Sequence, residues 1–238
     1  GFAHQIRARC GSFNEWKTDS RWSPITGIVE RILRFDEAPQ YQQPFLGFAE
    51  TSQEAAIIDG VLVENGILAE DALTQRFTLK KVDDDSVLPV LEHILKHFSS
   101  SGHGKEFHLL YSALIDAPYG VPNGIIPVLV ALVFRTEQSR IGVYVRQSGG
   151  NLQRVTPSNL ADATTDMARH PRKYETRYTR LSGKQRFVFP VIGPLVGVKF
   201  EERFARGELF YEYCGAVRSA LKAWIAELPE SVLRLPDL

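Results

Sequence analysis

The sequence predicts an α+β fold, mainly helical with small β hairpins, and three observations between residues 86 and 156 carry that expectation. Residues 86–98 set Val87, Leu88, Leu91, Ile94, Leu95 and Phe98 at helical spacing, and the polar, glycine-bearing run 99–104 ends the stripe. Residues 106–117 repeat the pattern with Phe107, Leu110 and Leu114 until Pro118-Tyr119-Gly120 stops it. Asn123 then stands where it would cap a third helix over 124–138, with Pro127 tolerated in the first turn. Two alternating runs, 141–146 and 152–156, flank the turn-forming residues 147–151 and read as a hairpin. Three helices followed by a hairpin is the order of a winged helix, so the expected architecture is a winged-helix core with flanking helical segments.

The flanks are read in the same way. Residues 26–35 carry a short apolar stripe through Ile28, Val29, Ile32 and Leu33. Thr51 to Glu54 has the capping-box pattern, opening a helix that Asn65-Gly66 closes. Residues 75–80 suit a short strand. After the hairpin, Thr156-Pro157 opens a helix that His170-Pro171 stops. Residues 174–181 alternate as a strand, and Pro190 and Pro194 are expected to break any helix over 184–204. A terminal helix over 208–228 would bury Leu209, Tyr213, Val217, Leu221, Trp224 and Ile225. The chain therefore divides into a mixed N-terminal segment (1–80), a winged-helix domain (81–156) and a helical C-terminal segment with a basic strand (157–238).

At 238 residues the chain is long enough for a substantial core, and its 44% hydrophobic and 24% charged residues are ordinary globular values. The formal net charge is zero, yet charge is segregated. Residues 50–85 hold nine acids against Arg76, Lys80 and Lys81; residues 169–186 hold seven Lys and Arg against Glu175 alone. Cys10 and Cys214 fit neither a zinc nor a disulfide framework and suit a reducing cytoplasm, the expected location. No secretory signal is evident, and the longest apolar run, 124–134, is too short to span a bilayer. Gly1 opens the chain and Met167 is its one methionine, so a fragment of a larger polypeptide or a processed chain is expected.

Catalytic signatures are missing from the sequence. It has no Walker-type phosphate loop, no Gly-x-Ser-x-Gly elbow and no His-Glu-x-x-His. His93 and His97 have the i, i+4 spacing of two helix-borne metal ligands, but no third ligand is suggested, and Glu92 and Lys96 beside them suggest a solvated face. Asp83-Asp84-Asp85 suits the entrance of a helix better than a metal. Glu201 and Glu202 would point apart on a helix. No enzyme activity, cofactor or metal is expected.

The basic run 169–180 is the stronger signal, because it interleaves cations with Tyr174 and Tyr178. As a strand it would set Lys173 and Arg177 on one face, directed together at a phosphate backbone; a charged edge strand that resists aggregation is the competing reading. The third helix is apolar from Ile125 to Phe134, so it is expected to be buried rather than to read bases in a groove. The candidate phosphate-binding residues are therefore Arg146 and Arg154 on the wing and Arg172, Lys173, Arg177 and Arg180 in the basic segment, giving affinity with little sequence specificity.

The run from Tyr111 to Val133, with its Pro118-Tyr119-Gly120 turn and the apolar stretch Ile125-Ile126-Pro127-Val128-Leu129, resembles a segment of very large bacterial ATPases. These belong to anti-phage defence systems of the BREX type and their relatives. The resemblance extends through Tyr144 to Met167–Tyr174 and to Trp224–Pro229, while residues 1–70 add little. It implies a non-catalytic, winged-helix-bearing piece of a larger assembly whose nucleotide site lies elsewhere; no catalytic residue carries over. Two functions stay open beside nucleic-acid contact: docking onto another subunit, with Trp16 and Trp22 as candidates, and a hydrolase site assembled from distant carboxylates or histidines.

Overall fold

The computed structural model describes residues 23–80, 87–100, 104–137, 140–178, 183–200 and 210–227. They fall into two compact units, the first within 1–137 and 141–178, the second within 138–140 and 179–238. The first unit draws one hydrophobic core from all three segments that composition separates.

Helix α1 (Ser23–Leu33) buries Ile25, Ile28, Val29, Ile32 and Leu33. Helix α2 (Gln53–Ile58) is capped by Ser52, whose side chain accepts from the Ala55 N–H at 3.1 Å; Thr51 lies outside it, one residue short of the expected cap. The helix runs on through a π turn, Asp59–Val63, and stops where Asn65 Nδ2 donates to the Gly60 and Val61 carbonyls and Gly66 adopts φ +66°. Strands β1 (Leu68–Asp71) and β2 (Arg76–Leu79) form a small antiparallel hairpin.

The order read from 86 to 156 is present. Helix α3 (Leu88–Ser99), strand β3 (Lys105–Glu106), helix α4 (Phe107–Ile115), helix α5 (Ile126–Glu137) and strands β4 (Ile141–Arg146) and β5 (Leu152–Arg154) follow one another. Helix α5 starts at Ile126, so Asn123 belongs to the preceding turn, in which the Ile125 N–H donates to the Pro122 carbonyl at 2.9 Å. As expected for a helix apolar all round, α5 is buried from Ile126 to Phe134, with α1, α3 and helix α6 (Leu160–Arg169) packed on it. Phe98 of α3 stacks on Phe134 with ring centroids 5.0 Å apart.

The basic strand β6 (Tyr174–Tyr178) is not an edge. The sheet runs β3-β6-β4-β5, antiparallel throughout, so β6 lies between two strands that precede it in the chain. Two buried positions explain the insertion: Tyr174 and Thr176 face the core opposite Val145 and Val143, which an edge strand of alternating charge would not require.

In the second unit, helix α7 (Gly183–Leu195) continues through Pro190 instead of breaking. Proline removes one backbone bond, and the packing of Phe189 and Ile192 against helix α8 (Phe210–Ala226) supports the helix across that gap. Tyr213, Cys214 and Val217 of α8 are buried, whereas Trp224 and Ile225, expected inside, are 54% and 45% exposed. No helix among the described residues is long and apolar enough to cross a membrane.

Candidate functional site

The cross-strand register assembles a charged face on the four-stranded sheet. Directly opposed residues of an antiparallel pair share a face. Gly142, Tyr144 and Arg146 of β4 thus stand with Glu175 and Arg177 of β6, with Arg154 and Leu152 of β5, and with Glu106 of β3. Three of the arginines singled out in the sequence, Arg146, Arg154 and Arg177, therefore lie together, brought from three adjacent strands.

Each side chain is positioned by its neighbours. The Arg177 Nε donates to Glu175 Oε1 at 3.0 Å, and its guanidinium lies 4.7 Å from the centroid of the Tyr144 ring. That ring lies over Gly142, where a Cβ would stand 3.0 Å from it; the missing side chain makes the space. The Arg146 Nη2 lies 3.7 Å from Glu106 Oε1 and 3.9 Å from Glu175 Oε2. The carboxylate of Glu175 presses against Gly104, whose φ of +96° and lack of Cβ both suit the approach. Glu175 is 13% exposed at its side chain, the arginines 46% and 43%.

The remaining candidates are distributed differently. Arg172 and Lys173 belong to a 3-10 turn, Pro171–Lys173, ahead of β6, and both are exposed. Lys173 is therefore outside the strand that carries Arg177, because Pro171 starts a turn that ends only at Tyr174. Arg180 lies outside the described residues, as do Asp83–Asp85, Glu201, Glu202, Trp16 and Trp22.

The histidine pair also differs from its expected setting. His93 is half-buried with its ring 4.9 Å from that of Tyr119, and His97 is 9% exposed beside Phe98, so the pair does not share a solvated face. Burial pushes the His97 imidazole down to about 4, assisted by Lys105 and His93. Its Nε2 has no hydrogen-bond partner among the described residues. No group of three or more His, Cys, Asp or Glu suited to a metal occurs among the described residues. Burial likewise pushes the Cys214 thiol up to about 11, away from the reactive thiolate.

One cluster is not apparent from the sequence. Asp166 accepts the Tyr174 hydroxyl at 2.7 Å on Oδ2, and its Oδ1 lies 2.8 Å from His170 Nδ1. A signal for it exists in the spacing: Asp166 and His170 are four apart at the end of α6. The carboxylate orients the imidazole, as in a general-base pair, but no Ser or Cys is hydrogen-bonded to His170 among the described residues. Burial and the bond to Asp166 raise the Tyr174 phenol far above its ordinary range. Asp166 and Tyr174 also line a polar cleft of about 760 Å³ between α6, the first turn of α1 and the β4–β5 hairpin.

No family model, curated protein or solved structure matches the chain.

Proposed function

We propose that this chain is a non-catalytic binding module of a larger bacterial defence-type ATPase, contacting nucleic-acid phosphates through the face of its four-stranded sheet. The observation that carries the reading is the convergence of Arg146, Arg154 and Arg177 from three adjacent strands. The exposed Arg172 and Lys173 in the turn feeding the central strand extend the same basic character. Phosphate contacts position a protein without reading sequence, which agrees with an α5 too deeply buried to enter a major groove.

The architecture is read as a winged-helix core. Helices α3, α4 and α5 with β3 and the β4–β5 hairpin supply its order, and β6 is an added strand between β3 and β4. The link to defence ATPases rests on the Pro118-Tyr119-Gly120 turn and the apolar helix after it, and a cytoplasmic location belongs to the same reading.

The test is fluorescence anisotropy with labelled duplex and single-stranded DNA over a salt series. Binding is expected to weaken with salt, and the log–log slope to become shallower by about 0.9 on duplex and about 0.7 on single-stranded DNA for each phosphate that Arg154→Glu/Arg172→Glu/Lys173→Glu no longer engages. A folded wild-type chain that binds neither DNA at low salt would overturn the reading. Docking onto another protein without nucleic acid is the second reading. It is favoured by the exposed apolar face of α7, where Phe187 and Leu195 are 76% and 80% exposed. It expects a defined complex and no salt-dependent DNA binding.

A further inference from the structure

We propose that Arg146 is the phosphate-capturing cation of the sheet face and that Glu106 and Glu175 hold it in reserve, so that phosphate must compete with two carboxylates of the protein itself. The inference rests on the phosphate-contacting reading above. It starts from a contrast between two arginines. Arg177 is anchored: its Nε is hydrogen-bonded to Glu175 at 3.0 Å and its guanidinium covers the Tyr144 ring. Arg146 is held only by charge, 3.7 Å from Glu106 and 3.9 Å from Glu175, beyond the distances of a good hydrogen bond. Its side chain is 46% exposed, so it can leave without opening the core.

The carboxylates have their own reason to keep it. Glu106 and Glu175 are direct register partners across β3 and β6, and like charges in that position repel. Glu175 cannot withdraw easily, because Arg177 holds it on one side and Gly104 abuts it on the other. Arg146 is the cation that bridges this pair. A phosphate that draws Arg146 outward leaves the two glutamates facing each other less well compensated, and that cost is subtracted from the binding energy. The result is an attachment weaker, and quicker to release, than the same arginine would give without the two carboxylates.

The experiment is anisotropy with labelled single-stranded and duplex DNA on the wild-type chain, Glu106→Gln, Glu175→Gln and Arg146→Gln, with each glutamate variant repeated in the Arg146→Gln background. Removing either carboxylate is expected to raise affinity about tenfold at about 50 mM salt and to steepen the salt slope by about 0.9 on duplex and about 0.7 on single-stranded DNA, one more phosphate engaged. The gain is expected to vanish in the Arg146→Gln background. Glu175→Gln keeps an acceptor for Arg177, and the more exposed Glu106→Gln serves should the former fold poorly; circular dichroism checks both. Wild-type affinity and slope in both folded glutamine variants would overturn the inference while leaving the phosphate reading intact. A gain that persists without Arg146 would also overturn it, tracing the effect to overall charge. If no protein in the set binds, the phosphate reading falls and the inference falls with it.

Discussion

From Ile126 to Phe134 in α5 and from Phe187 to Leu195 in α7 both helices are apolar nearly all the way round, and their surroundings differ completely. From Ile126 to Phe134 every residue of α5 is buried, because α1, α3 and α6 close over it. Helix α7 packs Phe189 and Ile192 on α8 and leaves Phe187, Val188, Val191 and Leu195 between 42% and 80% exposed. A helix without a polar side has no solvent face to offer, so burial on every side is its stable setting. Helix α5 finds that setting within its own unit. Helix α7 has it on one side only, which marks the other side as a surface where stability and function are decided separately.

Four measurements put that contrast at risk. The largest effect belongs to α5: Phe134→Ala removes the ring stacked on Phe98 and is expected to cost about 3–5 kcal/mol in urea unfolding of the first unit. Next is acid. His97, in the α3 cover over α5, is neutral when folded and titrates at about 4, below its ordinary 6.5. Its contribution is therefore complete above pH 6.5 and is lost as pH falls from 6.5 towards 4, by up to about 3 kcal/mol. Unfolding free energies over this range are expected to flatten in His97→Leu. Tyr174→Phe, which removes one hydrogen bond to Asp166 at the base of the α6 cover, should cost about 1 kcal/mol. The smallest effect falls on α7: Phe187→Ser/Leu195→Ser is expected to change stability by less than about 0.5 kcal/mol in urea unfolding of the second unit, because both side chains are exposed. A loss as large as that of Phe134→Ala would mean that the exposed face of α7 serves its own unit and would erase the contrast.

Local patterns with a strong period are legible in the sequence, and relations between distant segments are not. The stripe of α3, the burial of α5, the hairpin and the Asn65-Gly66 stop follow from spacing and turn chemistry within one element. The position of β6 does not, because alternation in residues 174–178 is compatible with an edge or an interior strand until its partners are known. For the same reason Arg146, Arg154 and Arg177 are individually visible as cations, while their common face and the glutamates among them depend on register. Phe45 and Leu46 adopt φ values of 51° and 56°, a left-handed turn that no local signal announces in bulky residues. Arg31 donates to the Leu46 carbonyl at 2.9 Å, and Leu46 is fully buried, so tertiary contacts hold what local preference disfavours. The face of α7 illustrates the same limit in reverse: Pro190 argues for a break that packing prevents.

The interior place of β6 also orders events in time. Lys105 and Glu106 pair with residues of 175–176, some seventy positions onward, and β4 has its neighbour on that side only when β6 arrives. In chain order the three helices and the hairpin precede β6, so β3 and β4 each keep one unmatched border until residues 174–178 are in place. Contacts over so long a separation form slowly, and a strand border left unpaired is a site where another chain can add. A chain ended at residue 156 would leave those borders of β3 and β4 open.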